Sequence, residues 1–202
     1  MKKSMIVLAA VLLLFTLCLT ACNDHSGEMR DINLLLRKDY SKIDVTVTTV
    51  NNGYMLEDVY SFENVDGQTN VTYVITILNS FESSNGTVTA PDEITTKYEG
   101  SAVVQDGTII SVKGEPITPE ALQSVSFTGM SFKVPYFTNI NTPKNTLSAD
   151  VVNPQKFLGN DGFDGTDMHV VVRYTQDGIH RIVLTYAGVS GSEVSIVYVL
   201  TK

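Results

Sequence analysis

Short segments of alternating apolar and polar residues, separated by Asn, Asp and Gly, recur along the chain from residue 43 onward. Residues 43–50 read IDVTVTTV and residues 69–78 read TNVTYVITIL. Side chains two residues apart along a strand share a face, so this period predicts half-buried β-strands. The turn sequences at residues 51–53 and 65–67 predict hairpins, with residues 55–63 as the strand between them. Together these segments predict an antiparallel meander.

The same pattern returns at the C-terminal end of the sequence. Residues 167–174, 179–186 and 193–201 predict three further strands, and Gln176-Asp177-Gly178 predicts a turn between the first two. The lengths and turn positions resemble those of residues 43–78. This similarity leaves two interpretations open: the domain consists of two similar halves, or two unrelated meanders look alike.

The middle of the chain is less regular. Strands are predicted at four places, with Gln105-Asp106-Gly107 as a hairpin turn between the first two: residues 94–104, 108–112, 127–134 and 146–152. A short helical turn is predicted to open at Thr118, the N-cap, with Pro119 at the first helical position. The total is about nine or ten strands.

One amphipathic helix is predicted before the first strand. In residues 28–40 the apolar side chains recur with helical spacing at Met29, Ile32, Leu35 and Leu36. We expect this stripe to pack on the sheet, although a helix lying on a membrane has the same pattern. Strand 194–200 is apolar on both faces, which indicates that the sheet is covered on both sides. The predicted fold class is mainly β (α+β): a curved antiparallel sheet or sandwich with an N-terminal helix.

The first 22 residues carry a targeting signal. Lys2 and Lys3 precede an apolar run over residues 5–19, which ends in Leu19-Thr20-Ala21-Cys22. The run is shorter than the roughly 20 residues of a membrane span and is typical of a signal peptide. With an aliphatic residue, two small residues and a cysteine, its end resembles the lipobox of bacterial lipoproteins. A plain signal peptide with an incidental Cys22, and an uncleaved anchor helix, are the alternatives.

The lipoprotein resemblance implies a location and a domain division. Cys22 would carry a diacylglycerol and become the first residue of the mature protein after removal of residues 1–21. Residues 22–27 would form a lipidated tether, and residues 28–202 a single domain. Each buried acyl CH₂ contributes about 0.8 kcal/mol to membrane binding. We therefore expect the domain at the extracytoplasmic face of the cell membrane, with fatty acyl chains such as palmitate in the bilayer.

Cysteine usage and charge limit the possible functions. Both cysteines, Cys18 and Cys22, lie in the targeting segment, so the domain behind them can form no disulfide. The formal net charge of −8 argues against nucleic acid as a partner. The expected partners are the membrane, through Cys22, and either an envelope protein or an apolar ligand.

Two weak metal sites are suggested by residue type. Asp161, Asp164 and Asp167 place carboxylates in a glycine-bearing loop, as calcium sites do, although Gly162 stands where a calcium loop needs a ligand. His169 and His180 lie on neighbouring predicted strands and, with Asp167, could bind a transition metal. A simple turn and two solvent-facing histidines are the competing interpretations, and we favour them. No metal and no cofactor is therefore predicted.

No catalytic residue is predicted from the sequence. Residues 188–192, GVSGS, do not match the G-x-S-x-G nucleophile motif and suit a hairpin turn better. Aromatic side chains concentrate in the middle of the chain and could line a ligand mouth or plug the core: Phe127, Phe132, Tyr136, Phe137, Phe157 and Phe163.

Three functions remain open. The first is a non-catalytic binding or accessory domain with an unidentified partner. The second is a carrier of lipid or another apolar ligand, because a helix packed into a curved antiparallel sheet resembles the half-barrel of periplasmic lipoprotein carriers and mycobacterial lipid-transfer lipoproteins. That resemblance is architectural and implies an apolar cavity under the sheet. The third, an envelope hydrolase, has the least support.

Overall fold

The computed structural model describes residues 25–51, 54–79, 83–84, 87–88 and 94–202. The predicted signal peptide, the predicted lipid-attachment residue Cys22 and the Asn52-Gly53 turn lie outside the described residues. Within them, no helix is long and apolar enough to cross a membrane.

Ten antiparallel strands form one curved, open sheet, which confirms the predicted mainly β class and selects the curved sheet over the sandwich. Its strands are β1 (Lys42–Asn51), β2 (Tyr54–Val65), β3 (Gln68–Asn79), β6 (Ile94–Gln105), β7 (Thr108–Gly114), β8 (Phe137–Asn141), β9 (Thr146–Val151), β10 (Thr166–Tyr174), β11 (Ile179–Ala187) and β12 (Glu193–Thr201). A separate pair consists of β4 (Ser83–Ser84) and β5 (Thr87–Val88).

The strand order divides the sheet into two five-stranded meanders. It reads β7-β6-β3-β2-β1-β12-β11-β10-β9-β8, so the meanders meet where β1 pairs with β12. All neighbours are antiparallel and each meander has an odd number of strands. The first strands of the two meanders, β1 and β8, therefore run in opposite directions, and simple translation along the sheet does not relate the two halves.

Local turn chemistry determines two hairpins. Asp66 and Gly67 connect β2 to β3 with φ of 51° and 79°, and Asp106 and Gly107 connect β6 to β7 with φ of 50° and 75°. Both central residues of a type I′ turn need positive φ, which Asp tolerates and Gly adopts freely. These hairpins lie where the Asp-Gly pairs predict them.

Three helices accompany the sheet: α1 (Ser26–Leu36), α2 (Pro119–Ser124) and α3 (Pro154–Leu158). The helix α1 begins within the segment expected to be tether and ends four residues before the predicted end at residue 40. Lys38 therefore lies beyond the helix and donates to the carbonyl oxygens of Gln176 and Asp177, at 3.1 and 2.8 Å. At α2, the Thr118 hydroxyl accepts from the Ala121 N–H at 3.2 Å, which confirms the predicted N-cap.

Residues 127–134 form a turn and irregular backbone rather than the predicted strand, so that prediction is wrong. Their backbone bonds are local or irregular: Met130 N–H donates to the Phe127 carbonyl, and Ser131 N–H to the carbonyl of Phe157. Phe127, Met130 and Phe132 are nevertheless buried. The apolar residues that suggested a strand instead insert one by one into the core, without a neighbouring strand to complete a ladder.

One face of the sheet, which we call the inner face, carries the core. Seven buried side chains on this face form a continuous row across the strands, and each is at most 4% exposed. The row consists of Tyr73, Tyr60, Val45, Tyr198, Ile182, Val172 and Leu147. Helix α1 buries Met29, Ile32 and Leu35 in the same core. The helix stripe predicted to pack on the sheet does so.

Candidate functional site

A segment of the chain crosses the inner face and leaves a cavity on each side. This bridging segment, residues 115–128, contains α2 and connects β7 to the turns before β8. Gln123, Ser126 and Thr128 contribute to the walls of both cavities. The bridging segment therefore acts as the common wall between two spaces over one sheet.

The first space, the apolar cavity, has a volume of about 530 Å³ and lies over the N-terminal meander. Its floor and walls include Ile43, Val45, Phe62, Val104, Ile109, Leu122, Val125 and Phe127. Phe62 stacks on Tyr60 along β2, with the ring centroids 6.4 Å apart. A volume of this size with an apolar lining is typical of small-molecule sites.

The second space, the tyrosine cavity, has a volume of about 510 Å³ and lies over β11 and β12. Leu184, Tyr186, Ile196 and Tyr198 line it from the sheet, while Glu120 and Asp161 contribute carboxylates from the bridging segment and from the turn after α3. Burial raises the pKa of Tyr186, and the nearby Asp164 raises it further. Burial likewise raises the pKa of Tyr198. Both phenols therefore stay protonated at neutral pH.

The bridging segment is fastened to the sheet at both ends. Near its start, the Tyr73 hydroxyl donates to the carbonyl oxygen of Glu115. A Cβ at position 100 would collide with that hydroxyl, so Gly100 is needed for the close approach. Near its end, the Phe127 ring meets Tyr198 edge-on at a centroid distance of 5.9 Å. Both fastenings use tyrosines of the buried cross-strand row.

Asp58 is a carboxylate on the inner face of β2, and the residues directly opposite it on both neighbouring strands are apolar. It lies opposite Val47 on β1 and Ile75 on β3. Its Oδ1 atom is buried and has no hydrogen-bond partner. Burial raises the pKa of Asp58, and burial together with the Asp58 charge raises the pKa of Tyr60 to about 12. An unpaired buried oxygen costs free energy that a suitable donor would recover.

A second polar arrangement lies on the outer face, on β8, β9 and β10. The Ser148 Oγ lies 3.0 Å from Nε2 of His169, and Nδ1 of the same ring lies 2.7 Å from Oδ1 of Asp150. Asn139, at φ 51°, donates from Nδ2 to the other Asp150 oxygen at 2.6 Å. Hydrogen bonds from Asn139 and then His169 hold the pKa of Asp150 below its ordinary value.

The connectivity of this network is that of a Ser-His-Asp triad, but its setting differs from that of a hydrolase. Ser148 lies inside a strand paired on both sides, opposite Asn141 and Val171, and not on the sharp strand-to-helix turn that presents a nucleophile. No residue of the network lines either described cavity. The network joins Asn139, at the bulge in β8, to Ser148 and Asp150 on β9 and to His169 on β10.

Sequence reasoning missed this network because Ser148, Asp150 and His169 are ordinary polar residues on the solvent side of predicted strands, and Asn139 lies in β8, which was not predicted as a strand. Ser148 and Asp150 are two apart on β9, and His169 faces Asp150 only through the β9–β10 register. The alternating pattern of β9 does predict that Ser148 and Asp150 share a face. The sequence carries no local signal for the pairing of β9 with β10.

The weak metal-ligand candidates from the sequence are not assembled into a ligand set within the described residues. His169 bonds to Asp150 rather than to Asp167, and His180 lies at a bulge of β11, where its Nε2 is 3.0 Å from the Thr175 hydroxyl. Across the described ranges, no group of three or more His, Cys, Asp or Glu side chains is arranged to hold a metal ion. The three calcium candidates have separate surroundings. Asp161 borders the tyrosine cavity, and the charge of Asp164 raises the pKa of Tyr186. Asp167 accepts a hydrogen bond from the Thr166 hydroxyl at 3.4 Å.

The aromatic group divides between the two roles that the sequence left open. Phe132, Phe137 and Phe157 plug the core, because all three are at most 5% exposed and their ring centroids lie 5.1 to 5.6 Å apart. Phe127 and Phe163 line cavities, the latter against Tyr186 at 5.0 Å. Tyr136 lies at the 3₁₀ turn Val134–Tyr136, near the Lys133 ammonium.

Comparison with known proteins adds no family assignment: no protein-family model matches the chain, and no curated protein is significantly similar to it.

Proposed function

We propose that this chain is a lipid-anchored, extracytoplasmic domain without catalytic function, which binds an apolar ligand on the inner face of its curved sheet. The observation that carries the proposal is the apolar cavity between the bridging segment and β1, β2, β3, β6 and β7. A core without a binding role would be expected to close such a space, because proteins pack their interiors to the density of organic crystals.

The anchor part of the proposal rests on the sequence alone. Leu19-Thr20-Ala21-Cys22 follows an apolar run and a basic start. The described domain begins at α1, only four residues after Cys22. Such a short connection would hold the ligand-binding face within a few nanometres of the bilayer, where acyl chains are abundant.

The binding part can be tested with a single fluorophore, because the chain contains no tryptophan. Phe62→Trp places an indole in the wall of the apolar cavity at a conservative position. Titration with palmitate, a straight apolar chain, should shift the indole emission to the blue in a saturable manner. The matched control is Val59→Trp, on the outer face of the same strand, where the side chain is 37% exposed.

The proposal fails if Phe62→Trp, shown by circular dichroism to be folded, responds no more than Val59→Trp. The anchor is tested separately by the denatured mass of membrane-extracted protein, which should equal residues 22–202 plus a diacylglycerol. The Cys22→Ser variant should lose both that mass and the membrane association. An unmodified Cys22 in the wild-type protein would rule out the anchor.

A further inference from the structure

Tyr198 carries a buried hydroxyl that has no partner in the protein. The side chain is 1% exposed and lies in the inner-face row between Val45 of β1 and Ile182 of β11. Its hydroxyl forms no hydrogen bond with any residue that the structure describes. A buried tyrosine hydroxyl usually has a partner, because an unmet donor or acceptor costs free energy. The protein's own hydrogen bonds therefore do not account for this hydroxyl.

The hydroxyl of Tyr198 opens into the tyrosine cavity. Of the two described cavities, the tyrosine cavity is the one with Tyr198 in its wall. The Phe127 ring, which lines the apolar cavity, stands edge-on against Tyr198 on the other side. The hydroxyl oxygen is not closed to solvent as Oδ1 of Asp58 is. Burial and the neighbouring Tyr186 raise the pKa of Tyr198, so its hydroxyl keeps its proton and can both donate and accept.

The walls around this hydroxyl are polar and negatively charged. Glu120 of α2 and Asp161 of the turn after α3 contribute carboxylates to two different walls. Neutral polar side chains complete these walls: Gln123, Ser124, Ser126, Thr128 and Asn160. Among the described residues, no lysine, arginine or histidine lines the cavity. A ligand would therefore meet negative charge and hydrogen-bond acceptors, which favours a cation that carries N–H donors.

The cavity has an apolar floor and a fixed corner. Leu184 and Ile196 line it from the sheet and would contact methylene groups of a ligand. Gly129, at the end of the bridging segment, and Gly159, at the end of α3, bring two walls into backbone contact. A Cβ on Gly159 would lie 2.8 Å from the Gly129 carbonyl oxygen. The close contact holds these walls together without a ligand, as is usual for small-molecule sites.

From the unpartnered Tyr198 hydroxyl and the two carboxylates around it, we infer that the tyrosine cavity is a second binding site, which takes a small aliphatic amine in its ammonium form. The ammonium N–H groups would donate to the carboxylates and to the Tyr198 oxygen, while the methylene groups contact Leu184 and Ile196. An anion of the same length would meet the carboxylates with like charge. This inference goes beyond the proposed function, because the two cavities are separate and binding to either can fail alone.

The test compares three probes with the same five-carbon chain and different end groups: 1,5-diaminopentane, 1,5-pentanediol and glutarate. Each probe is titrated calorimetrically into the full-length protein, held in solution by a non-ionic amphipol. A salt concentration of about 0.15 M screens general attraction between the amine and the acidic protein.

Two variants, each with a matched control, locate the binding. Tyr198→Phe removes the hydroxyl and keeps the ring, and its control is Tyr98→Phe, at a tyrosine that is 43% exposed. Glu120→Gln removes one wall carboxylate, and its control is Glu63→Gln, at an exposed position of β2. Neither control residue lines a described cavity.

We expect the wild-type protein to bind 1,5-diaminopentane about tenfold more tightly than the diol or glutarate, the scale of one charge-assisted hydrogen bond. Tyr198→Phe and Glu120→Gln should each weaken that binding about fivefold, and the controls should stay within about twofold. The site is overturned if the diamine binds no better than the diol. It is also overturned if the folded cavity variants weaken binding no more than their controls. Glu120 is exposed, so Glu120→Gln decides the question even if Tyr198→Phe does not fold.

Discussion

The hydroxyl of Tyr40 accepts a hydrogen bond from the backbone N–H of Ile179 at 2.9 Å. The same hydroxyl donates to the carbonyl oxygen of Leu35 at 2.9 Å. Ile179 opens β11 and Leu35 lies in the last turn of α1. One phenol therefore joins the end of the helix to the start of a central strand, at a point where Tyr40 and Ile179 are only 4% and 1% exposed.

Removal of this hydroxyl should be costly although the ring remains. We expect Tyr40→Phe to lower the free energy of unfolding by about 1–3 kcal/mol, because the buried Ile179 N–H loses its acceptor. Urea unfolding followed by circular dichroism measures the change. Tyr98→Phe, at a tyrosine that is 43% exposed, should change stability by less than about 0.5 kcal/mol. Equal effects of the two substitutions would show that the Tyr40 bridge is not stabilising.

The same substitution should have opposite signs at two glycines. A Cβ on Gly129 would lie 2.5 Å from the Leu158 carbonyl oxygen, whereas a Cβ on Gly27, in α1, meets nothing within 4 Å. We expect Gly129→Ala to destabilise by about 1–3 kcal/mol through overpacking. We expect Gly27→Ala to stabilise by about 0.5 kcal/mol through helix propensity. Thermal melts of both variants test the pair, and a stabilising Gly129→Ala would contradict the close approach of α3.

Asp58 should make stability depend on pH. Its pKa is raised from 3.8 by burial, so its protonated form is favoured in the folded protein. Stability from this group is fully present below pH 3.8 and is lost as pH rises through the higher folded pKa. The tyrosines on the adjoining inner-face row are Tyr60, Tyr73 and Tyr198; burial raises the pKa of each, so all three remain neutral in this range.

The Asp58→Asn variant should therefore gain stability relative to wild type as pH rises from 4 to 7. Urea midpoints at pH 4, 5, 6 and 7 measure the difference between the two proteins. Asp44→Asn, which removes an exposed carboxylate paired with Lys42, should show no such gain. A constant difference between Asp58→Asn and wild type over this range would contradict burial of the charged form.

The Ser148 network should not behave as a nucleophile. We expect a fluorophosphonate probe to leave the folded protein unlabelled, because Ser148 lies within a strand paired on both sides and outside both described cavities. A commercial serine esterase in the same reaction is the positive control. Labelling that is lost in both Ser148→Ala and His169→Ala would revive the hydrolase alternative.

Local chemistry explains which features the sequence could predict. The Asp66-Gly67 and Asp106-Gly107 turns, the Thr118 cap and the helix stripe of α1 each depend on residues within a few positions of one another. The error at residues 127–134 has a physical origin as well. A run containing Phe127, Met130 and Phe132 has the composition of a buried strand, but composition does not reveal whether a neighbouring strand is available to pair with it.

The candidate site depends on long-range pairing and so could not be predicted in the same way. Asp58 looks like an ordinary polar position of an alternating strand until the register places it between Val47 and Ile75. The sequence predicts that the aromatic residues either plug the core or line a ligand-binding mouth. Only the packing in the structure shows that Phe157 plugs the core while Phe163 lines a cavity. What the sequence does contain is the alternation that puts these side chains on one face.

The pairing of β1 with β12 also has a consequence for the order of folding. Lys42 is opposite Thr201, so the seam between the two meanders joins strands at almost opposite ends of the domain. The two ends of this long segment must come together before the contacts between β1 and β12 can form. The entropic cost of that loop closure makes this step slow. During synthesis the N-terminal meander would emerge before β12, with the edge of β1 unpaired and free to pair with another strand. A chaperone would have to protect that edge until β12 is synthesised, and a truncation within β12 would leave two half-sheets without a common seam.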